Sequence, residues 1–179
     1  MNHLNDTIPL FEDSVSKETI IHYNQYAAEA LDHFGHKPGE NFIFEHNKEK
    51  TELALDYDIS FPRNLMKERN DLAEFGALAL CFFQMSNLLG YQYVELSVIG
   101  TGVDYFFSKE EDDENEENFL ANGVYVEVSG IMSEKEKINY RIRKKHGQIK
   151  KGSLNRPNSS VCITSFPELR TVNQAKDEF

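Results

Sequence analysis

Residues 70 to 90, NDLAEFGALALCFFQMSNLLG, constrain this chain more than any other stretch, because they spell a helix with almost no polar face. Asn70 is placed as the N-cap, Asp71 and Glu74 supply acids to the first turn, and Gly90 is the stop. A helix that is apolar nearly all round has to be buried, so other elements must cover it on more than one side. The runs that follow are suited to that task. YQYVELSVIG, GVDYFF and GVYVEVSGI read as strands, the first two separated by Gly100-Thr101-Gly102 and the third bookended by Gly123 and Gly130. Ser133 and Glu136 make an S-x-x-E capping box before the helix EKEKINYRIRKKHGQIKK. A loop over 152–158 leads to the buried strand SVCITSF, which ends at Pro167, and RTVNQAKDEF reads as a frayed tail. Helix, three strands, helix, strand is an α/β layer arrangement with a mixed sheet between helices.

The first third is read separately, as residues 1–66 packed on a core of residues 67–179. It holds a helix over residues 15–34, ended by the breaker cluster GHKPG, and short strands at NFIFEH and ELALDYDISF, closed by Pro62. Internal repeats are absent from the sequence. Cys81 and Cys162 lie far apart, each inside an apolar run, with no CxxC or Cys/His cluster, which speaks for two buried thiols in a reducing cytosol and against structural zinc. MNHLNDTIPLFEDS has neither the basic nor the apolar segment of a signal peptide, and FGALALCFF is too short to span a bilayer. A cytoplasmic protein with no membrane contact is expected.

A net charge of −11 argues at first against a nucleic-acid partner, but its distribution does not. Residues 109–118, KEEDDENEEN, hold seven carboxylates and one lysine, whereas residues 133–156 hold nine Lys or Arg against two Glu. One acidic loop and one basic patch therefore coexist.

Strand alternation isolates the first candidate for chemistry. In VYVEVS, Val124, Val126 and Val128 face one way and Tyr125, Glu127 and Ser129 the other, so Glu127 stands in a strand expected to be covered on both faces. A carboxylate there is costly unless it meets an arginine, a backbone cap, water or a cation. Asp104 enters the next apolar run directly after a glycine pair that permits a bulge or an Asx turn. On the basic helix, Ile138, Ile142 and Ile149 form an apolar stripe with Lys145 inside it, Arg141 and Gln148 along its edge and Arg143 toward solvent. Lys145 either snorkels out of that stripe or reaches a cleft shared with Asp104 and Glu127. Two carboxylates and a lysine are the minimum set for metal-assisted phosphodiester hydrolysis: hard oxygen ligands for Mg²⁺ or Mn²⁺, and a cation for the attacking water or the phosphorane charge. No Ser/His/Asp arrangement, G-x-S-x-G, P-loop or dinucleotide fingerprint competes.

The order AEFGALAL, GTGVDYF, YVEVS, basic helix, strand resembles the PD-(D/E)XK nuclease superfamily over about residues 68–167. The resemblance implies a restriction-endonuclease-like α/β fold, a mixed β-sheet flanked by helices, here with an extra N-terminal helix and short strands. It implies metal ligation by Asp104 and Glu127, with Glu74 and Glu95 as further acidic candidates. Catalytic roles fall on Asp104, Glu127, Lys145 and Gln148, and substrate contacts on Arg141, Lys144 and Ser129. Ser129 is the departure, since the superfamily usually has lysine there; Lys145 on the following helix takes that part, with Lys144 as the fallback. The function implied is a Mg²⁺- or Mn²⁺-dependent nuclease acting on DNA rather than RNA. The alternative is a catalytically inactive nuclease-fold binding protein, such as an accessory subunit or an immunity- or antitoxin-like factor. The acidic loop 109–118 would then dock a protein partner, and a homodimer is a further option.

Overall fold

The structure is a computed structural model that describes residues 2–11, 14–59, 68–97, 102–109, 123–151 and 158–175. Its frame is one eight-stranded mixed sheet with helices on both faces. The elements are β1 (Asn2–His3), a 3₁₀ turn (Leu4–Thr7), α1 (Ile8–Phe11), α2 (Lys17–His33), β2 (Asn41–His46), β3 (Glu49–Asp56) and α3 (Arg69–Phe83). A π-helical turn (Gln84–Leu88), β4 (Tyr93–Leu96), β5 (Tyr105–Ser108), β6 (Gly123–Ile131), α4 (Ile138–Lys151), β7 (Ser159–Ser165) and β8 (Arg170–Ala175) follow. The strands lie in the order β1-β3-β2-β8-β7-β6-β5-β4. β5 runs antiparallel to both of its neighbours, β4 and β6, whereas β7 runs parallel to β6 after the crossover through α4.

The apolar helix lies where its composition requires. Leu78, Cys81 and Phe82 of α3 pack on Val126 and Val128 of β6, while Leu80 and Phe83 pack on Phe42 and Phe44 of β2. α2, capped by Ser16 through the Thr19 N–H, lies against α3. Close approach of these two helices depends on Gly76, where a Cβ would stand 3.2 Å from the backbone of Ala27. On the opposite face, Ile138, Ile142 and Ile149 of α4 cover Ile131, Val161 and Ile163. The strand alternation thus sorts correctly into two cores.

Several local expectations are corrected. α3 begins at Arg69 with Glu68 in the cap position, so Asn70 is not the N-cap, and its final turn widens into a π-helix before Gly90, at φ 75°, ends it. β3 starts at Glu49, earlier than the apolar alternation indicates, because Asn47 and Lys48 both take positive φ and close a tight hairpin with β2. Ser133 and Glu136 do not form a capping box. The Ser133 hydroxyl accepts from the Lys135 N–H and α4 starts only at Ile138, because the Glu136 carboxylate is drawn instead to the Arg141 guanidinium. The largest correction concerns the segment read as a frayed tail. Residues 170–175 form β8, an interior strand between β2 and β7. Only Val172 among its buried residues is apolar; Thr171 is hydrogen-bonded to Thr164 across the pair and Asn173 donates to the Met85 sulfur. No apolar run announces such a strand.

Among the described residues, no helix is long and apolar enough to cross a membrane. Cys81 and Cys162 are both free and buried. Of the acidic segment 109–118 only Lys109 is described, and Arg156 of the basic patch also lies outside the described residues.

Candidate active-site cleft

The cleft is created by a strand that leaves its partner. β5 pairs with β6 from Ser108↔Gly123 to Tyr105↔Val126, and one residue further the Asp104 N–H still donates to the Val126 carbonyl at 3.0 Å. There the backbone ladder stops. The Asp104 carboxylate takes its place, with Oδ2 accepting from the Val128 N–H at 2.7 Å. This bond completes the β6 edge and fixes one carboxylate beside Glu127. Gly102, at φ 77°, carries the chain away over α4, where a Cβ would lie 3.1 Å from the Gln148 carbonyl oxygen.

Glu127 lies on the α4 side of β6 and is only 7% exposed. Lys145 reaches it from α4, with Nζ 2.6 Å from Oε1. One turn earlier on the helix, Arg141 donates from Nη1 to the Ser129 hydroxyl at 2.8 Å and grips Glu136 with two further bonds, of 2.6 and 2.7 Å. That guanidinium holds the Glu136 carboxyl below its ordinary range. Ser129, the position where the resemblance leads one to look for lysine, thus has a cation on it after all, delivered from α4 by Arg141. Asp104, Glu127, Ser129, Arg141, Lys145, Gln148 and Glu74 all line one cleft of about 1210 Å³. Glu74 stands exposed on α3 at its lip and is not gathered with the other two acids.

Two sequence-derived candidates lie elsewhere. Glu95 is exposed on β4 and Lys144 is exposed on α4, and neither lines the cleft. The buried stripe of α4 also differs in one member. It runs Ile138, Ile142, His146, Ile149, so Lys145 is not inside it but at its edge, 19% exposed and turned to the cleft. Sequence reading missed Glu136 as the clamp on Arg141, having assigned it to a cap. An acid five residues before an arginine was the available signal.

Burial pushes Glu127 up to about 7, the neighbouring Asp104 charge adds to this, and Lys145 pulls the other way. The native state therefore holds this proton more tightly than the unfolded chain does. Its stabilising contribution is complete below the ordinary value of 4.5 and is lost as the pH rises to about 7. In chelator-treated buffer the unfolding free energy should fall by on the order of 3 kcal/mol through that window, and Glu127→Gln should flatten the fall. Urea midpoints measured across the window check this, and a wild-type profile that rises with pH would show that Lys145, not burial, governs the carboxyl.

Among the described residues, no group of three or more His, Cys, Asp or Glu side chains is placed to hold a metal ion. The acids that could share one ion are the pair Asp104 and Glu127, which line the same cleft and whose charges oppose each other. Two crowded carboxylates, one of them buried and resisting ionisation, are a donor set that a hard divalent cation relieves, and Mg²⁺ commonly takes one or two carboxylates and fills its remaining positions with water or phosphate oxygen. The residues fit such an ion. Comparison with protein families, with curated proteins and with solved structures gives no match for this chain.

Proposed function

We propose that the chain is a metal-dependent nuclease that hydrolyses phosphodiester bonds of DNA, built on a restriction-endonuclease-like core. The observation that carries this is the convergence of Asp104, Glu127 and Lys145 at the point where β5 leaves β6. The order α3-β4-β5-β6-α4-β7, with β7 parallel to β6, agrees with what the resemblance implies and supports the reading. Mg²⁺ or Mn²⁺ is the implied cofactor and the cytoplasm the implied location.

In this mechanism Asp104 and Glu127 would hold the ion. Such an ion, when bound, supplies Lewis acidity toward a water and toward the phosphate oxygens. Glu127 has to be ionised to serve, so occupancy rises with pH and ligation releases a proton. Lys145, freed from its bond to Oε1, orients the attacking water or meets charge developing on the phosphorus. Arg141, already oriented by Glu136, presents its guanidinium to a non-bridging oxygen, and Gln148 lies one turn beyond Lys145 as a neutral donor.

The same ion pair favours a second reading. If Lys145 is the permanent counter-ion of Glu127, it satisfies the site without metal, and the fold binds a partner without hydrolysing it. Calorimetric titration with Mn²⁺ separates the two. Wild type is expected to bind at millimolar metal or below, and Asp104→Ala and Glu127→Ala are each expected to lose that binding while keeping the wild-type circular dichroism spectrum. Wild type that takes up no Mn²⁺ under these conditions rules against the nuclease.

A further inference from the structure

The cleft has a second wall that the hydrolytic residues do not use. On the α3 side of the sheet, Phe75, Leu78, Leu96 and Tyr105 line the same cavity as Asp104, Glu127 and Lys145. Leu96, at the end of edge strand β4, is 73% exposed and adds apolar surface to this side of the cleft. Phe75 and Tyr105 are half-buried, and both rings are braced from behind. Phe75 stacks on Tyr23 at 5.7 Å and 6° and is flanked by Tyr26 at 5.1 Å, and Tyr105 meets Phe82 edge-on at 5.4 Å and 90°. The α4 side of the cleft is therefore ionic, and the α3 side presents an apolar and aromatic surface with exposed Arg69 and Glu74 beside it.

We infer that this wall stacks an unpaired nucleobase, so that the strand held beside Glu127 and Lys145 is single-stranded DNA. The inference rests on the nuclease reading for the identity of the ligand and deepens it by naming the strand's form. Each nucleotide of a single strand offers both an anionic phosphodiester and a free aromatic face, which matches the two walls. A duplex hides its base faces in the stack and offers a dense double row of phosphates. The chain carries a net charge of −11 and, among the described residues, brings four cations to the cleft, Arg141, Lys145 and Lys151 from α4 and Arg69 from α3. Aromatic stacking with a short electrostatic track is how unpaired strands are held without base-specific hydrogen bonds.

Fluorescence anisotropy with the full chain in EDTA tests this, using labelled oligothymidylate, an abasic deoxyribose-phosphate chain of the same length and charge, and a duplex of that length. Oligothymidylate is expected to bind about tenfold more tightly than either competitor. Phe75→Ala should remove most of that advantage, and the surface substitution Leu96→Asp, which leaves the core alone, should reduce it as well. Equal binding of the abasic chain, tighter binding of the duplex, or an advantage untouched by Leu96→Asp each overturns the inference. Because metal is absent, a failure of Mn²⁺ binding leaves a base-dependent affinity standing. Conversely, Mn²⁺-dependent cleavage of duplex with no base-dependent affinity sinks the stacking wall and leaves the nuclease intact.

Discussion

Lys145→Met is expected to slow phosphodiester hydrolysis by roughly 10²–10³-fold, the usual effect of removing one aligned electrostatic group from a reacting centre. The informative part is what the substitution should leave unchanged. Lys145 bonds to a carboxylate assigned to the metal, so its ammonium and the ion compete for the same oxygen. Removing the ammonium should keep Mn²⁺ affinity equal to wild type or improve it. A rate that collapses while metal binding holds marks Lys145 as acting on substrate or water. If rate and metal binding fall together, the lysine is a structural counter-ion and the binding-protein reading gains. An unchanged rate removes Lys145 from the mechanism. Methionine keeps most of the side chain's bulk on the edge of the α4 stripe, which limits confusion with lost packing.

Gly130→Ala is expected to carry the largest cost in stability. A Cβ at this position would stand 2.0 Å from the Ala73 carbonyl oxygen, 2.6 Å from its carbon and 2.8 Å from its Cα. All three atoms belong to the backbone of α3, so no side chain can swing aside and the helix itself has to move. Overpacking of this kind costs about 3 kcal/mol or more, which for a chain of this size lowers Tm by roughly 6–12 °C. The contact also sits between Ser129 and Glu74, so the displacement opens the cleft at its lip. Gly147→Ala is the matched comparison. It lies in α4 with nothing within 4 Å of its Cβ, and alanine there should stabilise by about 1 kcal/mol. Differential scanning calorimetry of both variants decides the matter, and similar Tm values for the two would mean that α3 does not press on β6 as closely as described.

What could be read from the sequence divides along physical lines. Elements held by apolar burial were legible: α3 from its all-round hydrophobicity, β6 from alternation that sorts Val126 and Val128 from Glu127, and β7 as a buried strand from the run SVCITSF. Elements held by polar pairing were not. β8 is fixed by Thr171 on Thr164 and by Asn173 on Met85, with Val172 its one buried apolar side chain, and these three residues look like a solvated tail when read in order. The site shows the same division. Asp104 and Glu127 stood out because a carboxylate amid apolar neighbours is expensive, and Lys145 because helical spacing put it inside an apolar stripe, although the fold sets it at the edge. The role of Asp104 in closing the β6 ladder depends on a backbone N–H, which carries no residue signature. Glu136 was assigned to a local cap, and only the fold shows that a bidentate guanidinium outcompetes a backbone donor for it. The apolar wall escaped notice because Phe75, Leu96 and Tyr105 come from three different elements, and nothing in their spacing brings them together.

The position of β8 has a consequence for how the molecule is made. Strands β2 and β3, complete by residue 56, meet β6 and β7 only through residues 170–175. During synthesis the early hairpin therefore has no neighbour on its open side until the ribosome has released nearly the whole of this sequence. Once β5 and β6 have been made, and until β8 follows, the nascent chain carries two unjoined half-sheets with bare edges, each open to pairing with the wrong partner. The segment that looked dispensable is the one that ends that exposure.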